Sequence, residues 1–164
     1  MTGLGASGTW VGGYTYPEAG GPWETGTLVP FTMQLRVSWR GDVTGSIQED
    51  PTLGAPEAGT IHGHLGLRSV RLVKNLPVFR FWAPGRLITF QEWFSSSYPG
   101  SDFPPQSLPH PSVHLTGSLS RIDGRIDGVW QVDPFSVVDD SGKWKLDFPA
   151  QQGRWFAARM RDAA

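Results

Sequence analysis

Apolar and polar residues alternate along Phe31-Thr-Met-Gln-Leu-Arg-Val-Ser-Trp39, with Phe31, Met33, Leu35, Val37 and Trp39 on one side and Thr32, Gln34, Arg36 and Ser38 on the other. Successive side chains of a strand point to opposite faces, so this period of two predicts a strand with one dry and one wet face. Arg40-Gly41-Asp42 reads as a tight turn and Val43–Glu49 as the antiparallel return. After a Pro/Gly loop at 51–58, Gly59–Leu65 and Val70–Lys74 predict a second hairpin. Val113–Arg121 and Arg125–Val132 predict a third, joined through Ile122-Asp123-Gly124, where Gly tolerates the positive φ such turns need. Thr9–Tyr16 is the expected first strand, Arg86–Phe94 a central one, and Trp144–Phe148 with Arg154–Met160 a last pair.

Eight to ten strands joined by short connections predict an all-β fold: a single up-and-down antiparallel barrel spanning residues 1–164. No stretch carries a sustained 3.6-residue apolar period between caps, so any helix is expected to be one or two turns long. Val43-Thr-Gly45, Ile61-His-Gly63, Leu115-Thr-Gly117 and Ile126-Asp-Gly128 each place a glycine on the same strand face as a large apolar residue. Such glycines thin the packed face and let a sheet curl. Prolines at 99, 104, 105, 109 and 111 deny a ladder its donors, so 99–111 is expected to be an ordered loop or flap at the barrel mouth.

Composition agrees with this picture. Twenty-one Gly and 14 Pro are too many for a helical protein, while eight Trp and nine Phe demand a buried core. The formal charge of −1, with both signs interspersed along the chain, predicts neither nucleic acid nor an anionic membrane surface as partner. Without cysteine there is no disulfide and no thiolate site, which fits a reducing compartment. Met1–Tyr16 has neither a basic nor an apolar leader region, and no run of about 18 apolar residues occurs, so a cytoplasmic protein without a membrane span is expected.

Gly8-Thr-Trp10 at the start of the first strand, the meander of hairpins, and a last strand ending Arg159-Met-Arg161 resemble the calycin superfamily of lipocalins, fatty-acid-binding proteins and avidins. The resemblance implies that Trp10 closes one barrel end and that Arg159 or Arg161 packs across its ring, a cation–π contact over an apolar floor. It also implies a small-molecule ligand inside the barrel. The chain carries no Thr-Asp-Tyr signature of the kernel lipocalins and no helical lid after its first strand, which keeps the resemblance at the level of the superfamily.

Several constellations are candidates for chemistry. Residues 79–103 hold Phe79, Phe81, Trp82, Phe90, Trp93, Phe94, Tyr98 and Phe103, a flat-faced apolar surface suited to a planar ligand, to a homodimer interface, or to burial under the 99–111 loop. Glu92 stands among these aromatics; facing inward it would be desolvated and become an acid or base, with Tyr98 as a second candidate, and facing outward it is an ordinary polar residue. His62 and His64 share a strand face that His114 could approach, a set that would suit zinc, although Ile61 and Leu65 claim the apolar side and turn both histidines to solvent. The pairs Glu49-Asp50 and Asp139-Asp140 adjoin loops and read as solvated surface. No nucleophile elbow, phosphate loop, dinucleotide fingerprint or His-Glu-x-x-His occurs.

The leading expectation is a barrel that binds a small hydrophobic or aromatic molecule, without metal or other cofactor. Its ligand contacts would be Met33, Leu35, Val37, Trp39, Phe90, Trp93 and Tyr98. An alternative is a barrel cyclase or isomerase acting on a flexible apolar substrate, which a desolvated ionisable group in the cavity would favour. A third is a structural or partner-binding barrel with a filled interior.

Overall fold

The computed structural model describes residues 3–16, 28–83, 86–100, 108–138, 142 and 145–161. Its strands in chain order are β1 (Gly8–Thr15), β2 (Leu28–Val37), β3 (Asp42–Glu49), β4 (Gly59–Leu65) and β5 (Ser69–Asn75). An inserted hairpin, β6 (Arg80–Ala83) and β7 (Arg86–Thr89), leads into helix α1 (Phe90–Ser97). Then come β8 (Val113–Ser120), β9 (Arg125–Val132), a second inserted hairpin of β10 (Phe135–Val138) and β11 (Lys145–Phe148), and β12 (Gln151–Arg159).

Eight of these strands close into an antiparallel barrel in the order β1-β12-β9-β8-β5-β4-β3-β2, each paired with its neighbour in sequence once the two inserted hairpins are set aside. The wall obeys the alternation read from the sequence. In β2 every second residue from Val29 to Val37 is buried, and the intervening ones are exposed. The inward residues of all eight strands form one core, whose largest fully buried members are Trp10, Trp155, Met33, Ile47 and Ile61.

Two expectations about the wall are corrected. Trp39 does not continue the inward face: β2 ends at Val37, and Trp39 lies in the turn to β3, 69% exposed, with the Arg40 guanidinium 4.7 Å from its ring centre. The last two strands are not partners either. β11 pairs with β10, whereas β12 pairs with β9 and β1 and so seals the barrel. Trp144, Phe103 and Asp139-Asp140 lie outside the described residues, as does 101–107 of the Pro-rich loop.

The expected central strand is also shorter. Only Arg86–Thr89 is extended, and Phe90–Ser97 is a two-turn helix. The Thr89 hydroxyl accepts the Glu92 N–H at 3.0 Å while the Glu92 carboxylate accepts the Thr89 N–H at 2.8 Å. This reciprocal capping box satisfies two donors that a helix start leaves unpaired, and it outweighs the β preference of the aromatics around it. Phe90 and Phe94, four apart, then share a face and pack with Phe79 in a second aromatic core, joined by Trp93, Tyr98 and the stacked Phe135–Phe148 pair of the other inserted hairpin.

The two ends of the barrel differ. Turns at 38–41, 66–68 and 121–124 close one end, together with a short 3-10 helix at Gly3–Ala6. Trp10 donates from Nε1 to the Ala6 carbonyl at 2.9 Å, and Arg159 donates from Nε to the Ser7 carbonyl at 3.1 Å. Arg159 stands opposite Trp10 in the ladder but spends its guanidinium on the Ser7 carbonyl; the cation–π contacts of the described residues are Arg40 with Trp39, Lys74 with Tyr14 and Arg125 with Phe156, so the expected packing of Arg159 across the Trp10 ring is not among them. The other end carries the loop at 50–58 and both inserted hairpins. Among the described residues no helix is long and apolar enough to cross a membrane.

Glycines on the inward face set the girth of the wall. Gly128 stands opposite Gly117 on one side and Trp155 on the other. A Cβ there would run into the Thr116 carbonyl oxygen and sit 2.7 Å from Gly117 Cα, so backbone rather than a pliable side chain would have to yield. Gly128→Ala is therefore expected to cost ~1–3 kcal/mol in urea unfolding, whereas Gly5→Ala, with nothing within 4 Å of its Cβ, should stay within about 0.5 kcal/mol of the parent.

Candidate functional site

Strand alternation also carries polar side chains inward at the end with the long connections. On β3 the inward series Val43, Gly45, Ile47 ends in Glu49; on β5 the series Val70, Leu72 ends in Lys74; on β1 Trp10 and Gly12 lead to Tyr14. Glu49 is 2% exposed and Lys74 5%, so the expectation that Glu49 belongs to a solvated surface pair is overturned. Its neighbour Asp50 faces the other way and organises the loop, accepting the Thr52 N–H at 2.9 Å.

Lys74 Nζ donates to Glu49 Oε1 at 2.6 Å. Glu49 Oε2 accepts the Ala55 N–H at 2.7 Å and the Tyr14 hydroxyl at 3.1 Å, and Lys74 Nζ lies 4.6 Å from the centre of the Tyr14 ring. Each charge is therefore surrounded by groups that replace lost water. Burial alone would raise the Glu49 pKa, but the Lys74 ammonium and the hydrogen bonds from Lys74, Ala55 and Tyr14 outweigh it and hold the carboxyl below its ordinary value. The Tyr14 and Tyr16 phenols are both pushed upward, chiefly by burial, and stay protonated.

A cavity of about 50 Å³ opens beside this group, walled by Tyr14, Tyr16, Phe31, Trp130, Leu76 and Val132. His110, from the far end of the Pro-rich loop, reaches it as well. Its backbone N–H donates to the Leu76 carbonyl at 3.2 Å, and its ring sits edge-on to Phe79. Its Nδ1 is 2.6 Å from the Pro111 carbonyl, which only accepts, so Nδ1 holds the proton and Nε2 the lone pair. Burial is the main reason that its pKa falls to about 4. Arg80 and Glu57 form an ion pair at the rim and tie the 50–58 loop to β6.

The residues expected to contact a ligand are not gathered here. Met33, Leu35 and Val37 are inward but lie in the packed core nearer the closed end, and Phe90, Trp93 and Tyr98 belong to the aromatic core of α1. Trp39 is on the opposite, closed end. Glu92 is exposed in its capping box, and Tyr98 caps the helix C-terminus with its N–H on the Phe94 carbonyl, so neither candidate acid reaches the cavity. His62, His64 and His114 all face outward. The register sets Val73 between His62 and His114, two strand spacings or ~9–10 Å apart, while His64 and His114 each approach an aspartate, Asp42 at 3.6 Å and Asp133 at 3.8 Å. Among the described residues no cluster of three or more histidines and carboxylates could hold a metal ion.

The site was nonetheless legible in part. Counting by twos from Ile47 and from Leu72 puts Glu49 and Lys74 on the inward face; what the sequence could not supply is that the two meet. The chain matches no protein-family model, no curated protein and no solved structure.

Glu49→Gln should leave Lys74 as an uncompensated buried charge and cost ~3–5 kcal/mol in denaturant unfolding. The double variant Glu49→Leu/Lys74→Met should recover most of that loss. His110 supplies a pH signature. Its folded pKa of about 4 lies below the unfolded 6.5, so between these values the unfolded chain binds more protons and stability falls as pH falls. The loss is of order 1–3 kcal/mol across that window, and His110→Gln should flatten the curve there. A slope unchanged by the substitution would refute the assignment.

Proposed function

We propose that the barrel binds a small neutral molecule, with an aromatic or apolar body and one polar group, through the end that carries the long connections. The observation behind this reading is the cavity, where aromatic walls surround a Glu49–Lys74 pair whose charges cancel. An ionic ligand would lose its hydration and find no uncompensated counter-charge, whereas a neutral one can hydrogen-bond to the polar groups of the lining and bury apolar surface at about 25 cal/mol per Å². An apolar cavity of about 150 Å³ takes benzene. At about 50 Å³ this one takes a few waters or the polar head of a ligand whose body rests in the mouth. The calycin resemblance supports the same reading.

A second reading is a barrel enzyme that moves a proton, as the cyclase or isomerase alternative requires. The observation favouring it is the neutral His110 imidazole, whose Nε2 carries a lone pair and to which nothing is hydrogen-bonded among the described residues. Glu49 and Lys74 are less suited to that work because each neutralises the other.

Titration with phenol, benzoate and benzylamine, followed by NMR, separates these ideas. Phenol should shift the Trp130 indole and His110 ring signals, with the two charged analogues at least tenfold weaker. His110→Phe should weaken phenol but not toluene. Shifts confined to Trp39 or Trp93, or benzoate binding as tightly as phenol, would refute the proposal. Native mass spectrometry of the purified chain would reveal a resident ligand directly.

A further inference from the structure

The closed end of the barrel repeats one arrangement three times. Each of its hairpin turns exposes a large apolar residue beside an arginine: Trp39 with Arg40, Leu67 with Arg68, and Ile122 with Arg121. Leu67 is 75% exposed and Ile122 92%, and Met160, half-exposed at the end of β12, adds a fourth apolar tip followed by Arg161. Isolated exposed apolar residues need no explanation, but four gathered at one end of a barrel do.

The tips are held as one surface. Leu65 N–H donates to the Gly41 carbonyl at 2.8 Å, linking the first turn to the second. Leu119 N–H donates to the Arg68 carbonyl at 3.1 Å, and Arg121 donates to the carbonyls of Gly66 and Leu67, both at 3.0 Å, linking the second to the third. Arg159 N–H donates to the Gly124 carbonyl at 2.8 Å and ties in β12. The apolar tips are thus presented together without further ordering cost.

The closed end carries more arginines than acids. Arg36, Arg40, Arg68 and Arg161 belong to the closed end, and among the described residues none of them is paired with a carboxylate. Of the acids there, Asp127 is bound by Arg125, Asp42 approaches His64, and Asp123 in the third turn accepts the Ser120 hydroxyl at 2.6 Å, so the arginines of this end outnumber its acids. Glu49, Asp50, Glu57, Asp133 and Asp147 all lie toward the other end. The near-zero net charge therefore conceals a basic pole.

We infer that this basic, apolar-tipped end docks on an anionic lipid surface, with Trp39, Leu67 and Ile122 entering the headgroup boundary and the arginines meeting the lipid phosphates and carboxylates. Tryptophan favours that boundary, shallow apolar insertion supplies one part of the binding, and each basic residue near a negatively charged leaflet supplies another. Nucleic acid would engage the arginines but leave Leu67 and Ile122 against phosphates with nothing gained. A second copy of the chain would bring like charges face to face. With the barrel standing on its closed end, the cavity mouth stays in water.

Vesicle flotation of the full chain tests this, using phosphatidylcholine with and without phosphatidylserine. The protein should float with the anionic vesicles only and be released by high salt. Arg40→Gln/Arg68→Gln should weaken partitioning more than tenfold, from about fivefold for each charge. Leu67→Ser/Ile122→Ser, at positions too exposed to disturb folding, should also weaken it about tenfold. Brominated lipid should quench the fluorescence of the parent more than that of Trp39→Phe. The inference is overturned by equal partitioning into neutral vesicles, by none into anionic ones, or by indifference to either double variant. It is likewise overturned if duplex DNA binds with dependence on the arginines alone, or if Leu67→Ser/Ile122→Ser abolishes a concentration-dependent dimer.

Discussion

Pairing between β1 and β12, from Trp10 opposite Arg159 to Thr15 opposite Arg154, joins the first strand to the last and leaves the eight-stranded sheet without an edge. A closed wall divides every strand residue into inside and outside, and nothing on the inside can reach bulk water except through an end. The rest of the molecule follows from that division. Trp10, Trp130 and Trp155 fill the interior with their indole N–H groups bound to the carbonyls of Ala6, Thr15 and Thr116, while glycines such as Gly128 yield the space that the large rings occupy.

Closure also explains why Glu49 and Lys74 are partners. A lone carboxylate or ammonium brought inward by alternation would lose its hydration at a cost of several kcal/mol, more than a small domain can readily absorb. Bringing the two together, and adding Tyr14 and the Ala55 N–H, replaces most of what water supplied. Well-packed apolar residues could close the same end without charges, so stability alone does not call for the pair.

The remaining asymmetry lies in connection length. Short turns leave the closed end rigid and cross-tied, with its apolar tips and arginines on display. Long connections at the other end build a second aromatic core from α1 and the inserted hairpins, with Phe135 touching both cores. The proposed lipid contact uses the first end and the proposed ligand enters by the second.

The period of two, the Asp-Gly turn and the strand glycines were enough to predict the barrel, because alternation and turn chemistry act over a few residues and are written locally. Register and pairing of the last strands were not, since contacts distant in the chain decide them; the turn of Phe90–Phe94 into a helix rests partly on a local signal, the Thr89–Glu92 capping box three residues apart, and partly on a second core assembled from distant segments. Inward placement of Glu49 and Lys74 follows from counting along each strand, but their meeting depends on how strands 25 residues apart are aligned. Net charge was readable directly, but its distribution was not, for only the folded chain gathers more arginines than acids at one end. Sequence determined which side of the wall each strand residue occupies, and tertiary structure alone decided which residues share an end, because closure brings together positions that no local pattern connects.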